Sequence, residues 1–248
     1  MDPRVVVITG GSAGIGAAAV QLLAARGDAV VPVARRAEKL EEVAREAGGT
    51  VFPVSADMEV RAEVRRAVDA TLERFGRFDV WVNNAGRGIS RLPSELTDDD
   101  IDAMMRANVL SALYGMQEVL PHFKERGQGH LINVSSLLGR VPFATIRSAY
   151  CGAKHFLNAL TATFRAELAE SHPGIRISLL SPGVVRTDFG NSALHGGPDS
   201  RSFPESQSAE EVAAVLADVI DTGRPDVYTR AGFHERIAGY YASHGTDP

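Results

Sequence analysis

Val5-Val6-Val7-Ile8-Thr9-Gly10-Gly11-Ser12-Ala13-Gly14-Ile15-Gly16 is the stretch that decides the fold. Four branched apolar residues in a row, without polar alternation, predict a strand buried on both faces of a sheet. From Ile15, apolar positions recur at Ala18, Ala19, Leu22 and Leu23, a helical period that ends near Gly27. Between strand and helix lies a glycine-rich turn. Gly10 allows the tight turn, Gly14 lets a pyrophosphate approach the backbone, and Gly16 allows close helix–strand packing. The unpaired N–H groups at the helix start attract phosphate. Gly10, Ser12, Ala13, Gly14, Ile15 and Gly16 are therefore the candidate phosphate-binding residues, because the strand–loop–helix context is met.

An acidic residue some 20 positions beyond such glycines would bind the ribose hydroxyls of NAD. That window reads Val33-Ala34-Arg35-Arg36 and holds no acid. A guanidinium there offers paired hydrogen bonds to a 2′-phosphate, so NADP(H) is favoured over NAD(H). The plainer alternative is that Arg35 and Arg36 only begin a solvated helix.

Outward from this unit, short β-branched runs alternate with helical patterns, the signature of a parallel α/β sheet. Further strands are predicted at 29–33, 50–54, 78–82, 131–134 and 177–180, with a weaker one at 227–229. Helices are predicted at 38–47, 62–75, 99–125 and 149–170. Ser208 and Glu211 form a capping box that opens a helix running to about Asp221. Pro32 and Pro53 fall inside predicted strands and lack a ladder donor, so each predicts an edge position or a bulge. No repeat or linker divides the chain, and residues 1–248 read as one Rossmann-like, doubly wound domain. Residues 187–207, carrying several Gly, Ser and Pro, read as a long loop, with a lid over a ligand as the sharper expectation.

Composition excludes several classes. Net charge is -5, and the basic residues are interspersed with acids, which argues against a nucleic-acid surface. The single cysteine, Cys151, permits no intrachain disulfide and predicts a reducing compartment. The apolar run before Gly10 is too short for a signal peptide, and no stretch approaches a membrane span. A cytoplasmic protein is the expectation. Histidines and the cysteine show no metal-ligand spacing, so no metal site is expected.

Tyr150-Cys151-Gly152-Ala153-Lys154 lies near the start of a helical pattern, and residues four apart share a helix face. A nearby cation favours the ionised phenol, which suits it to proton transfer to a carbonyl. The glycine loop, Asn83-Asn84-Ala85-Gly86, Asn108, Ser135-Ser136, the Tyr150/Lys154 pair and Pro182-Gly183-Val184-Val185-Arg186-Thr187 follow one another in a fixed order. In that order they resemble the short-chain dehydrogenases/reductases, over nearly the whole chain.

The resemblance implies a sheet of seven parallel strands and a homodimer or homotetramer. It also implies pro-S hydride transfer between NADP(H) and a small carbonyl or alcohol. Tyr150 would be the general acid or base, and Lys154 would bind the nicotinamide ribose and lower the tyrosine pKa. Ser136, chosen over Ser135 by the Asn-Val-Ser-Ser-x-x-Gly pattern, would hold the substrate oxygen. Asn108 would support a water leading from Lys154 to solvent. Asn84, Ala85 and Gly86 would line the adenine–ribose side, and Asp57 and Met58 would contact adenine. Pro182, Gly183, Val185 and Thr187 would lie against the nicotinamide. The chain departs from the 3-oxoacyl-carrier-protein reductases in carrying Pro225-Asp226-Val227-Tyr228-Thr229 where they have Asp-Gly-Gly. The alternatives are a dinucleotide sensor without turnover and an NAD-dependent alcohol dehydrogenase.

Several tempting residues have plainer readings. Cys151 is expected to be small buried packing. His195 is expected to be a solvated loop histidine. Asp98-Asp99-Asp100 after Thr97 reads as the acidic first turn of a helix. Arg87, Arg91, Arg140 and Arg147, near the cleft mouth, could select an anionic substrate but read more plainly as surface basicity, and Leu138, Phe143, Ile146 and Phe189 read as an apolar pocket wall.

Overall fold

The computed structural model describes residues 3–244. Seven strands form one sheet: β1 (Val5–Thr9), β2 (Ala29–Ala34), β3 (Val54–Ser55), β4 (Val80–Asn83), β5 (Gly129–Val134), β6 (Ile175–Ser181) and β7 (Asp226–Tyr228). Every pairing is parallel, in the order β3-β2-β1-β4-β5-β6-β7. The α-helices are α1 (Gly14–Ala25), α2 (Ala37–Ala47), α3 (Arg61–Phe75), α4 (Asp98–Met105), α5 (Ser111–Arg126), α6 (Ser148–Ala169), α7 (Ala209–Thr222) and α8 (Phe233–His244).

The continuous apolar run of β1 is explained by a core on each face. Val6 and Ile8 pack with Val20 and Leu23 of α1 and Leu216 of α7. Val5 and Val7 pack on the other side with Val64 of α3, Val119 and Phe123 of α5, and Trp81. Each such fully buried side chain contributes about 2 kcal/mol of apolar burial. The chain leaves β1 for β2 and β3 on one side, then returns to β4 on the other. The carboxyl ends of β1 and β4 therefore diverge, opening the crevice in which doubly wound sheets take ligands.

Three local expectations are corrected. Pro32 lies in an interior strand, not at an edge. Val30 donates to Thr50 and accepts from Phe52, so Pro32, two residues on, also faces β3. There the β2–β3 ladder is broken between the bridge at Val51 and the pair Val33–Val54, so no donor is missed. Pro53 occupies that same break, and β3 is reduced to two residues at the sheet edge. The helix expected at 99–125 is interrupted by a π-helical turn, Arg106–Leu110, between α4 and α5. The segment at 187–207 is not free of structure. It contains a short 3-10 turn at Ser200–Ser202, and single bridges join Leu194 to Ile89 and Gln207 to Val185.

Capping follows the sequence closely. Thr97 caps α4 and exchanges hydrogen bonds with Asp100, and Ser208 does the same with Glu211 at α7. No described helix is long and apolar enough to cross a membrane.

Candidate active site

A cleft of about 1480 Å³ lies over the carboxyl ends of the strands. Its floor is the glycine loop. Gly10 has φ +68° and Gly14 φ +54°, conformations that L side chains rarely adopt. A Cβ at Gly16 would stand 2.3 Å from the Gly10 carbonyl oxygen, so only glycine lets α1 approach the loop. Gly16 thus packs behind the cleft, while Gly10, Ser12, Ala13, Gly14 and Ile15 line it. Ala13 precedes α1 without a side-chain cap, and the first turn carries no acid. The free N–H groups of that turn are left for an anion.

Thr9 ties β1 to β4 at the crevice: its Oγ1 accepts from the N–H groups of Asn84 and Ala85, each at 3.0 Å. Asn84 returns a bond from Nδ2 to the Thr9 carbonyl at 2.9 Å. Arg35 and Arg36 follow β2 at the cleft rim. Arg36 Nη2 donates to Ser12 Oγ at 3.1 Å, and Arg35 stands 3.9 Å from Asp57. Asp57, Met58, Asn84, Ala85, Gly86, Pro182, Gly183, Val185 and Thr187 also line the cleft, Thr187 lying against Gly14.

Tyr150 and Lys154 sit one turn apart near the start of α6, both buried, with the Lys154 Nζ 5.7 Å from the phenol ring centre. Lys154 donates to the Val134 carbonyl at 2.9 Å. Burial pushes its ammonium down to about 8. Burial pushes the Tyr150 phenol up to about 12, opposed by a hydrogen bond with Ser136 and by the charge of Arg147. Burial thus favours the neutral phenol, the form that can donate a proton.

The two serines separate cleanly. Ser135 Oγ donates to Asn158 Oδ1, whose amide in turn donates to the Gly139 carbonyl. Ser136 instead accepts from Leu138 N–H and faces Tyr150. Asn108 lies in the π-turn, behind the cleft wall. It donates to the carbonyls of Arg87 and Met104 and accepts from Arg87 N–H. A Cβ at Gly86 would meet Asn108 Oδ1 at 2.8 Å and Lys154 Nζ at 3.6 Å, so Gly86 keeps these two groups in reach of one another.

Leu138, Phe143, Ile146 and Phe189 all line the cleft, and the Phe189 ring meets Tyr150 edge-on at 5.6 Å. Sequence reading missed the contribution of the C-terminal segment. Phe233 of α8 presses on Gly183, where a Cβ would lie 2.7 Å from its ring, and Arg236 stacks on Phe143. No motif marks these contacts. His195 is an exposed loop residue, as expected, but it also bonds Asp100, which is buried at the start of α4. Cys151 is buried, and burial pushes its thiol up to about 11, so it is packing and not a nucleophile. No cluster of metal-ligating side chains occurs among the described residues.

The family model of the short chain dehydrogenases matches residues 4–196. The chain belongs to that family. An uncharacterized oxidoreductase of Staphylococcus saprophyticus is 37% identical over 187 residues, covering 75% of this chain and 76% of the relative. An oxidoreductase of Botryotinia fuckeliana is 36% identical over 188 residues, covering 75% of this chain and 68% of the relative. Among solved structures, an alcohol dehydrogenase from Thermococcus sibiricus complexed with 5-hydroxy-NADP is 29% identical, with a TM-score of 0.80 over 93% of this chain and 97% of that one. A short-chain dehydrogenase/reductase from Burkholderia phymatum in complex with NAD has a TM-score of 0.89 over 100% and 98% of the two chains. At 24% identity it shares the fold alone. This short-chain dehydrogenase is thus an oxidoreductase built to hold a nicotinamide dinucleotide.

Proposed function

We propose that this short-chain dehydrogenase is an NADP(H)-dependent carbonyl reductase that also runs in reverse as an alcohol dehydrogenase. The observation that carries the reading is the placement of Tyr150, Ser136 and Lys154 in one cleft with a glycine loop and an unopposed arginine. The glycine cradle and the bare start of α1 fit a pyrophosphate, and Arg36, anchored on Ser12, with Arg35 beside it, fits a 2′-phosphate. Asp57 and Met58 would flank adenine, Asn84 to Gly86 the adjoining ribose, and Pro182, Gly183, Val185 and Thr187 the nicotinamide.

When bound, NADPH supplies the hydride to the carbonyl carbon. Ser136 orients the carbonyl oxygen, and Tyr150 donates its proton to that oxygen as the alcohol forms. Lys154 holds the nicotinamide ribose and recharges Tyr150 through a water supported by Asn108. Residues 187–207 form the loop that covers the substrate. Two or four copies assembled in the cytoplasm complete the reading, with Ile101 and Phe156 exposed on α4 and α6 as apolar contacts.

The test is a side-by-side binding titration of NADPH and NADH. The reading predicts NADPH binding tighter by about tenfold or more, the weight of one charge-assisted phosphate contact. Equal affinities would contradict the arginine assignment, and binding of neither would contradict the enzyme.

A further inference from the structure

We propose that Arg147 binds a carboxylate on the substrate, so that the enzyme acts on oxo acids and the corresponding hydroxy acids. This rests on the assignment of Tyr150 as the proton donor in the cleft.

Most arginines near the substrate side are already engaged. Arg91 pairs with Asp100, Arg140 with Asp226, Arg201 with Asp188, and Arg236 with Glu205. Arg87 stands exposed, where water screens it. Arg147 differs from all of these. It is half-buried, it lines the cleft, and it makes no ion pair among the described residues. Among the described residues its guanidinium makes one hydrogen bond, from Nη1 to the Ile89 carbonyl at 2.9 Å. Burial lowers the pKa of the guanidinium, the mark of a charge taken partly out of water without a counterion.

Two glycines let the loops close on this side chain. Gly88 and Gly197 flank the guanidinium: a Cβ on either would come within 2.9 Å of Nη1 or Nη2 respectively. Nη1 and Nη2 thus lie against loop backbone, which holds the guanidinium in place at the cleft. Arg147 precedes Tyr150 by three residues at the start of α6, so both side chains serve the same stretch of cleft. Ile146 and Phe189 supply apolar surface beside them. A single guanidinium beside an apolar wall suits a singly charged carboxylate on a short carbon chain better than a doubly charged phosphate.

The experiment compares acetoacetate and levulinate, each against its methyl ester, as substrates of the full-length protein with NADPH. The expected result is kcat/KM for an acid about tenfold or more above its ester. In Arg147→Met that ratio collapses to about one or below, and Arg147→Lys retains part of it. The ratio cancels any general damage to Tyr150 or to folding. Esters reduced as well as acids, or a ratio unchanged in Arg147→Met, would overturn the inference while leaving the reductase intact. If neither acid nor ester turns over, calorimetry of the acids with the protein–NADP+ complex decides. Saturable binding lost in Arg147→Met supports the inference, and absence of such binding overturns it. A protein that binds no NADPH at all has failed at the earlier step.

Discussion

Nε2 of His195 lies 2.7 Å from Oδ1 of Asp100, joining the loop at 187–207 to the first turn of α4. Asp100 also accepts from Arg91 at 2.8 Å and from the Thr97 N–H at 3.1 Å. The His195 bond first, then those of Thr97 and Arg91, hold its carboxyl well below the usual carboxylate range. His195 itself takes φ +64°, the one positive φ outside glycine among the described residues. Backbone strain of this kind persists where surroundings over-determine it. His195→Ala should loosen the loop, raising KM for the carbonyl substrate about three- to tenfold while NADPH affinity holds, since Asp100 lies outside the cofactor half of the cleft. Steady-state kinetics with limited proteolysis of the loop checks this, and an unchanged KM would mean the bond anchors nothing that substrate uses.

Cofactor choice is assigned to the end of β2. Arg36 holds Ser12, and Arg35 is shared with Asp57 only at 3.9 Å. Arg35→Asp should move the NADPH-to-NADH preference towards NADH by about tenfold or more, because a carboxylate repels the 2′-phosphate and accepts from ribose hydroxyls. A ratio of Kd values that stays put would show that these arginines belong to a solvated helix start.

Ser135 and Ser136 should separate experimentally. Ser136→Ala is expected to lower kcat about a hundredfold with little change in Tm, because its hydroxyl serves the phenol and the substrate oxygen. Ser135→Ala should instead cost about 1–2 kcal/mol of stability, by leaving buried Asn158 short of a partner. The reverse pattern would exchange their roles.

Acid stability has an identifiable contributor far from the cleft. His130 is buried in β5, bonded through Nε2 to Ser178 at 2.8 Å, and its Nδ1 has no partner. Burial, with the charge of Arg176, pushes it down to about 3. The unfolded chain takes up a proton below about pH 6.5, and the folded one does not until about pH 3. Stability from this group is therefore full above that window and is lost as pH falls through it, by a few kcal/mol at most. Tm followed from about pH 7 to about pH 4 should fall less steeply in His130→Val than in the wild type. Parallel slopes would remove His130 from the account.

The sequence made the sheet and the cofactor cradle legible because both depend on local signals. A both-faces-buried strand must read as a continuous apolar run, and a loop that closes on a helix must read as glycine, as Gly16 against the Gly10 carbonyl shows. What escaped was long-range. Asn108 owes its position to a π-turn that leaves the apolar period of α4 and α5 almost unbroken. The bond of His195 to Asp100 was hidden because the two lie 95 residues apart in sequence. Pro32 was read as marking an edge position or a bulge, since nothing in β2 reveals that its neighbour strand breaks opposite it. Arg147 could be told from Arg91 and Arg140 only once Asp100 and Asp226 were seen to occupy the other two.

The central claim is that Tyr150 supplies the proton. The most direct measurement compares carbonyl-dependent NADPH oxidation by the wild type and Tyr150→Phe, with NADPH binding followed in both. The account predicts a loss of at least about a hundredfold in kcat with NADPH affinity retained, as expected when a positioned general acid is removed from an intact site. Turnover that survives the substitution would contradict it.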